Sequence, residues 1–521
     1  MQCMQVDERG PSEVRRPPGI APDPHWSAVL LLGALGTALL GQGAYYPRAQ
    51  VWVAVLLVAA LIVLPGAHVL GLRGLGLRGL ALRGLGLRGF GLRGLGPSAI
   101  GQHVHGPRVR RAHGFGSHPL GWALLDGRAR SVVLPASGLA GWALVDAVLH
   151  SRPGTAVPYL VLLAGILAVF LGCSRLTAAA RELVLTGLVG CGVLIALLGW
   201  LGVALHLMRW TWQGQDLWRA SSTLTYPNAT AVVLAMLALM VLALLTESPR
   251  STSLVLGATV LLTGLAATLS RAGLLALLVG VLVLAVTRGP VAVTRAARAP
   301  VLGAAVAALG LVPTMTAADP RPAPAAIALA AGLAVGAGGA TLRWNPAVVG
   351  GLVLLAAIVG VQGRSALTAI TGARLTADDP ERAASFSAAL RVFGEHRLIG
   401  AGPSLPSLTW ASRDGTRIYR YAHNEYLQVL AELGIVGGLL LAALLAGVLR
   451  RLGRRCRSGG AVNAGALAAI TALAVHAGFD FVWHIPAIPL LAAALVGLAS
   501  PEKHPAGNTQ PTGETSRKEN R

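Results

Sequence analysis

His423 is the residue of this chain best placed for acid–base chemistry. It lies with Asn424 where a polar, arginine-rich stretch meets an apolar stretch near the C-terminal end. Apolar residues at positions 427, 430, 433 and 436 have helical spacing, so the pair stands at the start of a predicted helix. Histidine exchanges a proton near neutral pH, and the N-terminal end of a helix dipole disfavours the imidazolium. The position predicts a neutral histidine that acts as a general base; a histidine that is merely hydrogen-bonded at an interface is the alternative.

The polar stretch before His423, residues 365–424, predicts an anion-binding cap. It holds seven arginines against five acids and includes several aromatic residues, so it is not a low-complexity tract. Arginine binds phosphate oxygens in a bidentate manner, whereas a merely solvated loop is the alternative. The spacing from Asp379 to Phe393 predicts a helix with Pro380 in its first turn. The seven arginines are Arg374, Arg382, Arg391, Arg397, Arg413, Arg417 and Arg420.

Two further motifs place an arginine between apolar stretches. Ser270 and Arg271 form a short polar turn, and Arg219 precedes a loop that ends at Pro227 and Asn228. Arg271 could bind phosphate, or it could extend to the membrane surface, as isolated arginines at helix ends commonly do. Arg219 stands among tryptophans, which indicates either an interfacial aromatic belt or a sugar site.

A last motif places His476, Asp480 and His484 near the end of the chain. His476 and Asp480 are four residues apart and share a helical face. Two histidines and an acid suggest a metal, but a structural hydrogen-bond network explains them equally well. The four cysteines are scattered without metal-ligand spacing. A literal dinucleotide-binding glycine pattern at residues 74–79 has no preceding strand, so it does not predict a nucleotide site. No metal, nucleotide or other cofactor is expected.

The composition is that of an integral membrane protein. Of the 521 residues, 54% are hydrophobic and only 12% are charged, against roughly 25% charged in soluble domains. The net charge of +22 is carried almost wholly by arginine and is better explained by membrane topology than by a nucleic-acid partner. Apolar runs of spanning length predict an all-α fold with 12–14 transmembrane helices. The runs are 27–46, 49–68, 131–150, 156–174, 182–206, 227–246, 251–269, 272–288, 299–317, 323–342, 346–364, 425–449, 461–481 and 484–499.

Arginine placement orients these spans. With a cytoplasmic N-terminus, the basic loop 69–130, the loop holding Arg288, Arg295 and Arg298, and the cluster at 450–457 all fall inside, as cytoplasmic loops should. Residues 70–96 form a five-residue Gly-Leu-Arg repeat without a helical or strand period. The predicted organisation is a cytoplasmic tail (1–26), two spans (27–68), a basic low-complexity cytoplasmic loop (69–130), further spans (131–364), a large external loop (365–424), closing spans (425–500) and a disordered cytoplasmic tail (501–521).

Taken in order and on one predicted face, these motifs resemble the O-antigen ligase / O-antigen polymerase superfamily of polytopic membrane glycosyltransferases. The resemblance covers roughly residues 130–500 and implies a GT-C-like membrane fold. Ser222 stands where a glycine is commoner in the family, and the 70–96 repeat has no counterpart there. The matching motifs are Arg219 to Asn228, Ser270 to Gly273, Arg391 with Gly400 and Gly402, His423 and Asn424 leading into Glu432 to Gly437, and Phe479 to Pro486.

The resemblance implies transfer of a glycan from an undecaprenyl-pyrophosphate carrier to an acceptor hydroxyl. The acceptor is a glycan, a lipid or a protein, and the site faces outward from the cytoplasmic (inner) membrane. By carry-over, His423 is the base and Arg271 and Arg391 hold the pyrophosphate, with Arg219 and Asn424 as lesser substrate-binding candidates. No metal or nucleotide is implied, and the pattern predicts neither ligase over polymerase nor an oligomeric state. A transporter and a non-catalytic partner of a polysaccharide exporter are the alternatives.

Overall fold

The computed structural model describes residues 24–63, 127–341 and 380–499, with gaps at 215, 406, 413–414 and 458, together with residues 368 and 370–372. Helices dominate these ranges, and the two small β-hairpins lie in connecting segments. The predicted tails, the 70–96 repeat and the predicted span 346–364 lie outside the described residues.

The first two helices, α1 (Pro24–Leu40) and α2 (Pro47–Val63), form a hairpin. The apolar run that starts at residue 27 stops being helical at Leu40, because Gln42, Gly43 and Ala44 all adopt positive φ angles of 53–69°. Three successive left-handed residues cannot continue a right-handed helix. The chain therefore turns sharply at this end of the hairpin.

Three more helices bring the chain to the first β-hairpin, and the second and third of them pack against the α1–α2 hairpin. They are α3 (Gly127–Leu149), α4 (Val157–Ser174) and α5 (Ala178–Leu205). The short strands β1 (Thr211–Gly214) and β2 (Leu217–Ala220) then pair antiparallel, with Trp212 opposite Arg219. The hairpin leads directly to the buried centre of the molecule.

The central helix is α6 (Pro227–Glu247), and nearly all of its side chains are buried. Pro227 occupies its first turn, where the missing N–H costs no hydrogen bond. It packs against α7 (Thr252–Ala267), α8 (Arg271–Arg288) and α14 (Ala461–Ala477). A helix that is apolar all round requires protein on every side, so the others enclose it.

The next helix, α9 (Pro290–Leu309), corrects one expectation about loops. Arg295 and Arg298, assigned to a cytoplasmic loop, lie within this helix. Their alanine and valine neighbours permit helix, and Pro290 at its first position begins it early. A short turn, α10 (Val312–Met315), and α11 (Pro322–Thr341) follow.

The segment before His423 folds into a small layer of its own. It contains α12 (Pro380–Glu395), which begins at the predicted proline, and the antiparallel strands β3 (Leu408–Ser412) and β4 (Gly415–Tyr419). Buried Ala388, Leu408, Ala422 and Ala431 join this layer to the following helix. That small apolar core holds the layer against the bundle.

The longest helix, α13 (Glu425–Cys456), is broken at Gly434, where φ is 63° and ψ is −164°. The carbonyls freed by the break are bonded elsewhere: Ala401 N donates to Ala431 O, Gly402 N to Glu432 O and Trp142 Nε1 to Leu433 O, at 2.9, 3.0 and 2.9 Å. Irregular backbone within a bilayer needs such partners. The break therefore docks the loop before His423 into α13.

The chain closes with α14, a short turn and α15 (Ala487–Leu498), and the whole is an all-α integral membrane protein. In the described ranges, eight helices are long and apolar enough to cross a membrane, and five apolar helices are shorter. The loop and tail boundaries given above remain predictions.

Candidate functional site

His423 and Asp480 form the centre of the candidate site. His423 Nδ1 lies 3.1 Å from Asp480 Oδ1, with the histidine side chain about one-third exposed and the aspartate fully buried. His423 has a φ of 51°, a left-handed conformation that is uncommon outside glycine and clusters at functional sites. When Nδ1 donates to the carboxylate, Nε2 carries the lone pair. The geometry thus provides an oriented base.

Asp480 is held as a carboxylate. Oδ2 accepts from Tyr226 Oη at 2.7 Å and from Asn228 Nδ2, and Oδ1 accepts from Phe481 N at 2.9 Å. Burial by itself raises the pKa of this carboxyl. The hydrogen bond and charge of His423, with His476 and the Arg382 guanidinium, outweigh it and lower the pKa of Asp480 to about 2.

Asn228 joins this pair to two other motifs. Its Oδ1 accepts from Ser270 Oγ at 2.8 Å and from an Arg219 guanidinium nitrogen at 3.2 Å. Arg219 is buried, donates through Nε to Thr268 O at 2.9 Å and lies 5.5 Å from the Trp212 ring. A buried cation needs this many partners. The fold therefore brings the Arg219, Ser270 and His423 motifs into one cluster.

Arg271 is the first residue of α8, directly after Ser270. Ser270 caps this helix by accepting from Gly273 N at 3.1 Å. Arg271 thus lies at a helix N-terminus, where backbone dipoles favour anions.

Asn424 caps the next helix. Its Oδ1 accepts from Tyr426 N and Leu427 N at 3.0 and 3.1 Å, while Nδ2 donates to Gly478 O at 2.9 Å. A capping side chain of this kind fixes the helix start. Asn424 ties His423 to the 478–480 turn, so its contacts are those of a positioning residue.

Among the described loop arginines, Arg382 lies beside Asp480, the partner of His423. Its guanidinium donates to Phe479 O at 3.1 Å and lies 3.9 Å from Asp480 Oδ2. Arg391 lies on the same helix nine positions later, about 13 Å further along its axis. It donates to Thr409 O at 2.8 Å and stacks over Trp410 at 5.2 Å. The structure places Arg391 with the β3–β4 hairpin.

The histidines around Asp480 do not converge as ligands of a metal. His476 is buried beside Asp480, and neither ring nitrogen has a hydrogen-bond partner. His484 turns away to Glu425, at 3.1 Å, and although burial lowers its pKa, that carboxylate raises it above the usual range. Within the described residues, no group of three or more His, Cys, Asp or Glu side chains could hold a metal ion.

Glu432 anchors the loop that precedes the site. Its carboxylate accepts from Tyr159 Oη, Gln428 Nε2 and Ser404 N, at 2.7, 2.6 and 2.9 Å. Gln428 in turn accepts from Ala422 N at 2.8 Å. This chain of hydrogen bonds reaches the residue before His423. The side-chain and backbone partners of the Glu432 carboxylate named here are all neutral donors.

Comparison with known protein families finds a match in the part of the chain that contains His423. Residues 254–442, a little over a third of the chain, match the family model described as O-Antigen ligase. This match supports membership of the chain in the O-antigen ligase / O-antigen polymerase superfamily. The matched segment contains Arg271, Arg382, Arg391, His423 and Asn424. No curated protein matches the chain.

The match supports a general activity and a general class of partners. An O-antigen ligase superfamily protein performs glycan transfer in the membrane, with a lipid-linked glycan donor and an acceptor. In this member, Arg219, Asn228 and Asp480 lie outside the matched segment yet contact the groups around His423. The site therefore extends beyond the family domain on both sides in sequence.

The sequence interpretation missed two members of this candidate site. Asp480 was assigned to a structural network or a metal, and Asn228 was treated as a helix-start residue. An acid four residues after a histidine gave no sign that it pairs with another histidine 57 positions away. The signal available was that an acid near a membrane span is costly and usually paired or functional.

Proposed function

We propose that this protein transfers or polymerises a glycan from an undecaprenyl-pyrophosphate carrier onto an acceptor hydroxyl. The reaction takes place at the outer face of the cytoplasmic membrane. The observation that carries the proposal is the hydrogen bond between His423 and the buried carboxylate of Asp480, with three arginines in the adjoining motifs.

The chemistry starts with His423 as the general base. Asp480 accepts a hydrogen bond from Nδ1–H, so the Nε2 lone pair is free to take the proton of the acceptor hydroxyl. The acceptor oxygen bonds to the anomeric carbon of the donor glycan as the bond from that carbon to the pyrophosphate oxygen breaks. The electron pair leaves with undecaprenyl pyrophosphate. The buried carboxylate stabilises the imidazolium that forms.

The leaving pyrophosphate needs nearby positive charge, and arginines lie around Asp480. Arg382 lies within 3.9 Å of Asp480, and Arg219 reaches it through Asn228. Arg271, at the start of α8, adds a third cation at a helix N-terminus. Preorganised cations of this kind stabilise the charge that develops on a leaving pyrophosphate. Asn424 positions His423 and makes no proposed contact with substrate.

The test compares two arginines of the same helix. The host is a strain that depends on this protein for its surface polysaccharide. It expresses, at matched membrane abundance, one of three variants: Arg382→Ala, Arg391→Ala or His423→Ala. We expect His423→Ala to abolish transfer and Arg382→Ala to lower it about a hundredfold, in the range of one lost transition-state donor. Arg391→Ala retains most activity, because that side chain contacts the hairpin.

The outcomes are distinct. If Arg391→Ala is the inactive variant and Arg382→Ala is not, Arg391 binds the pyrophosphate, as the family resemblance implied. If His423→Ala transfers glycan normally at normal abundance, the base is another group and a transporter or export partner becomes the better interpretation.

A further inference from the structure

A second cluster of side chains contacts Phe481, the ring that meets His423 edge-on. It consists of Tyr45, Tyr46, Arg420 and Tyr421, which we call the tyrosine rim. The Arg420 guanidinium lies 5.7 Å from the Tyr45 ring centroid and 5.5 Å from that of Tyr421, within cation–π range. The Tyr46 ring meets the Tyr45 ring edge-on, with centroids 5.4 Å apart. The rim joins segments far apart in sequence.

The tyrosine rim is one aromatic ring away from the proposed base. The Tyr421 ring stacks on the Phe481 ring with centroids 4.9 Å apart, and the His423 ring meets the Phe481 ring edge-on, also at 4.9 Å. His484 supports Tyr421 from another side at 4.2 Å. A sugar unit bound on the tyrosine rim is therefore close enough for the next part of the same ligand to reach His423.

The turn that carries Tyr45 is fixed in place. A Cβ on Gly43 would come within 2.5 Å of Ile485 Cγ2, so the turn fits tightly against the segment that follows Phe481. Thr223 Oγ1 also donates to Leu39 O at the end of α1, at 2.9 Å. Strained backbone persists where the surroundings hold it, often at ligand sites. The α1–α2 turn is thus rigid enough to set the position of Tyr45.

The tyrosine rim differs in chemistry from the surroundings of Asp480. The Asp480 side carries Arg219 and Arg382 and suits a pyrophosphate. The rim offers phenol rings, hydroxyls and a guanidinium, and it is open to solvent: Tyr46 is 51% exposed and Arg420 is also exposed. Aromatic faces pack against the C–H faces of sugar rings, while hydroxyls and guanidinium bond their oxygens. This combination fits a saccharide and lies partly outside the matched family segment.

We propose that the tyrosine rim binds the saccharide of the acceptor and presents its hydroxyl to His423. The proposal rests on the proposed function, since it divides the same site into a cationic donor half and an aromatic acceptor half. The rim forms and breaks no bond. It positions the acceptor and selects acceptors whose terminal unit is a sugar.

The test separates the two substrates. Purified full-length protein in nanodiscs is assayed with donor and acceptor isolated from the producing strain, each varied at saturation of the other. Tyr45→Ala and Arg420→Ala should each raise the acceptor KM about five- to tenfold, in the range of one lost aromatic or cation–π contact. The donor KM and kcat stay within about twofold of wild type. Arg420→Lys keeps the charge without the stacking plane and should recover only part of the loss.

A binding measurement makes the proposal independent of turnover. The probe is the free saccharide released from the lipid carrier by mild acid, and its binding is followed by saturation-transfer NMR. Tyr45→Ala should weaken this binding by the same factor. Trp52→Ala, which removes a 63% exposed aromatic from the same hairpin, is the matched control and should change neither measurement.

Three results would overturn the acceptor subsite. They are an unchanged acceptor KM in both rim variants, a rise in the donor KM instead, and saccharide binding that is indifferent to Tyr45. Failure of the proposed function is seen separately, as wild-type protein that transfers no glycan or a His423→Ala variant that still does.

Discussion

Substituting Asp480 by asparagine tests whether a buried negative charge sets the state of His423. The change preserves shape but replaces one acceptor oxygen by an NH2 group. Oδ1 faces two donors, His423 Nδ1 and Phe481 N, and Oδ2 faces Asn228 Nδ2 and Tyr226 Oη. With the amide oxygen at the first position, the NH2 group opposes the Asn228 donor. In the other orientation it donates to Nδ1 and moves the imidazole proton to Nε2, where a base needs a lone pair.

The size of the effect follows from the electrostatics of the site. The pKa of Asp480 is about 2 instead of 3.8, which means that its surroundings favour the carboxylate by about 2 kcal/mol despite burial. Asp480→Asn removes this charge from beside the imidazolium that forms during transfer. A loss of about 2 kcal/mol in transition-state stabilisation lowers kcat by at least about thirtyfold. Inversion of the tautomer can extend the loss to about 10⁴, the loss known for the corresponding change in the serine protease triad.

The assay is glycan transfer in nanodiscs at matched protein abundance, with the histidine tautomer read from ¹⁵N chemical shifts. Asp146→Asn is the matched control. Asp146 is also fully buried, and its Oδ1 also lies 3.1 Å from a histidine Nδ1, that of His150. It lies outside the proposed site, and we expect kcat to remain within about threefold of wild type. An Asp480→Asn protein with near-normal kcat, or one that loses no more than Asp146→Asn, would refute the reasoning.

The remaining predictions concern stability and positioning. Gly434→Ala places a Cβ 2.3 Å from Leu398 O at a positive φ, so folded yield and unfolding temperature should fall by an amount equivalent to about 3 kcal/mol; Gly453→Ala, on the same helix with open space around it, should not lower them. Asn424→Ala removes a helix cap and the bond to Gly478 O; it should cost about 1 kcal/mol of stability and lower kcat with KM unchanged, and a changed KM would count against a purely positioning role. Glu432→Gln sets an amide NH2 group among donors, so the Ser404 amide should exchange hydrogen faster; unchanged exchange would contradict the anchor role. Because the folded pKa of Asp480 is depressed, its carboxylate stabilises the protein above pH 3.8, and that contribution of about 2 kcal/mol is lost as the pH falls through about 2; acid unfolding of Asp480→Asn should lack this component.

The predicted helix starts were most accurate where a single capping or first-turn residue determines where the helix begins. The helix after His423 begins at Glu425 because Asn424 is a strong cap, and α12 begins at Pro380 because proline suits the first turn. The predicted boundary that differed from the structure is the start of α9. Arg295 and Arg298 lie within α9 although charge suggested a loop, since charge pattern predicts sidedness and not helix ends.

The sequence by itself determined the class of this protein and the identity of its proposed base. Its low charge content and long apolar runs require a membrane, and the matched O-antigen ligase segment contains His423. Hydropathy and the order of motifs can be read from the amino-acid sequence, because neither depends on how the chain folds.

Only the tertiary structure decided which groups surround His423. It selected Asp480 as its partner, brought Arg382 to the site, placed Arg391 at the hairpin and set Tyr45 from the first turn of the chain beside Arg420. Such pairings depend on how helices pack and on where α13 breaks at Gly434. A buried charge must find its partners in space, and residues distant in sequence supply them once the bundle closes.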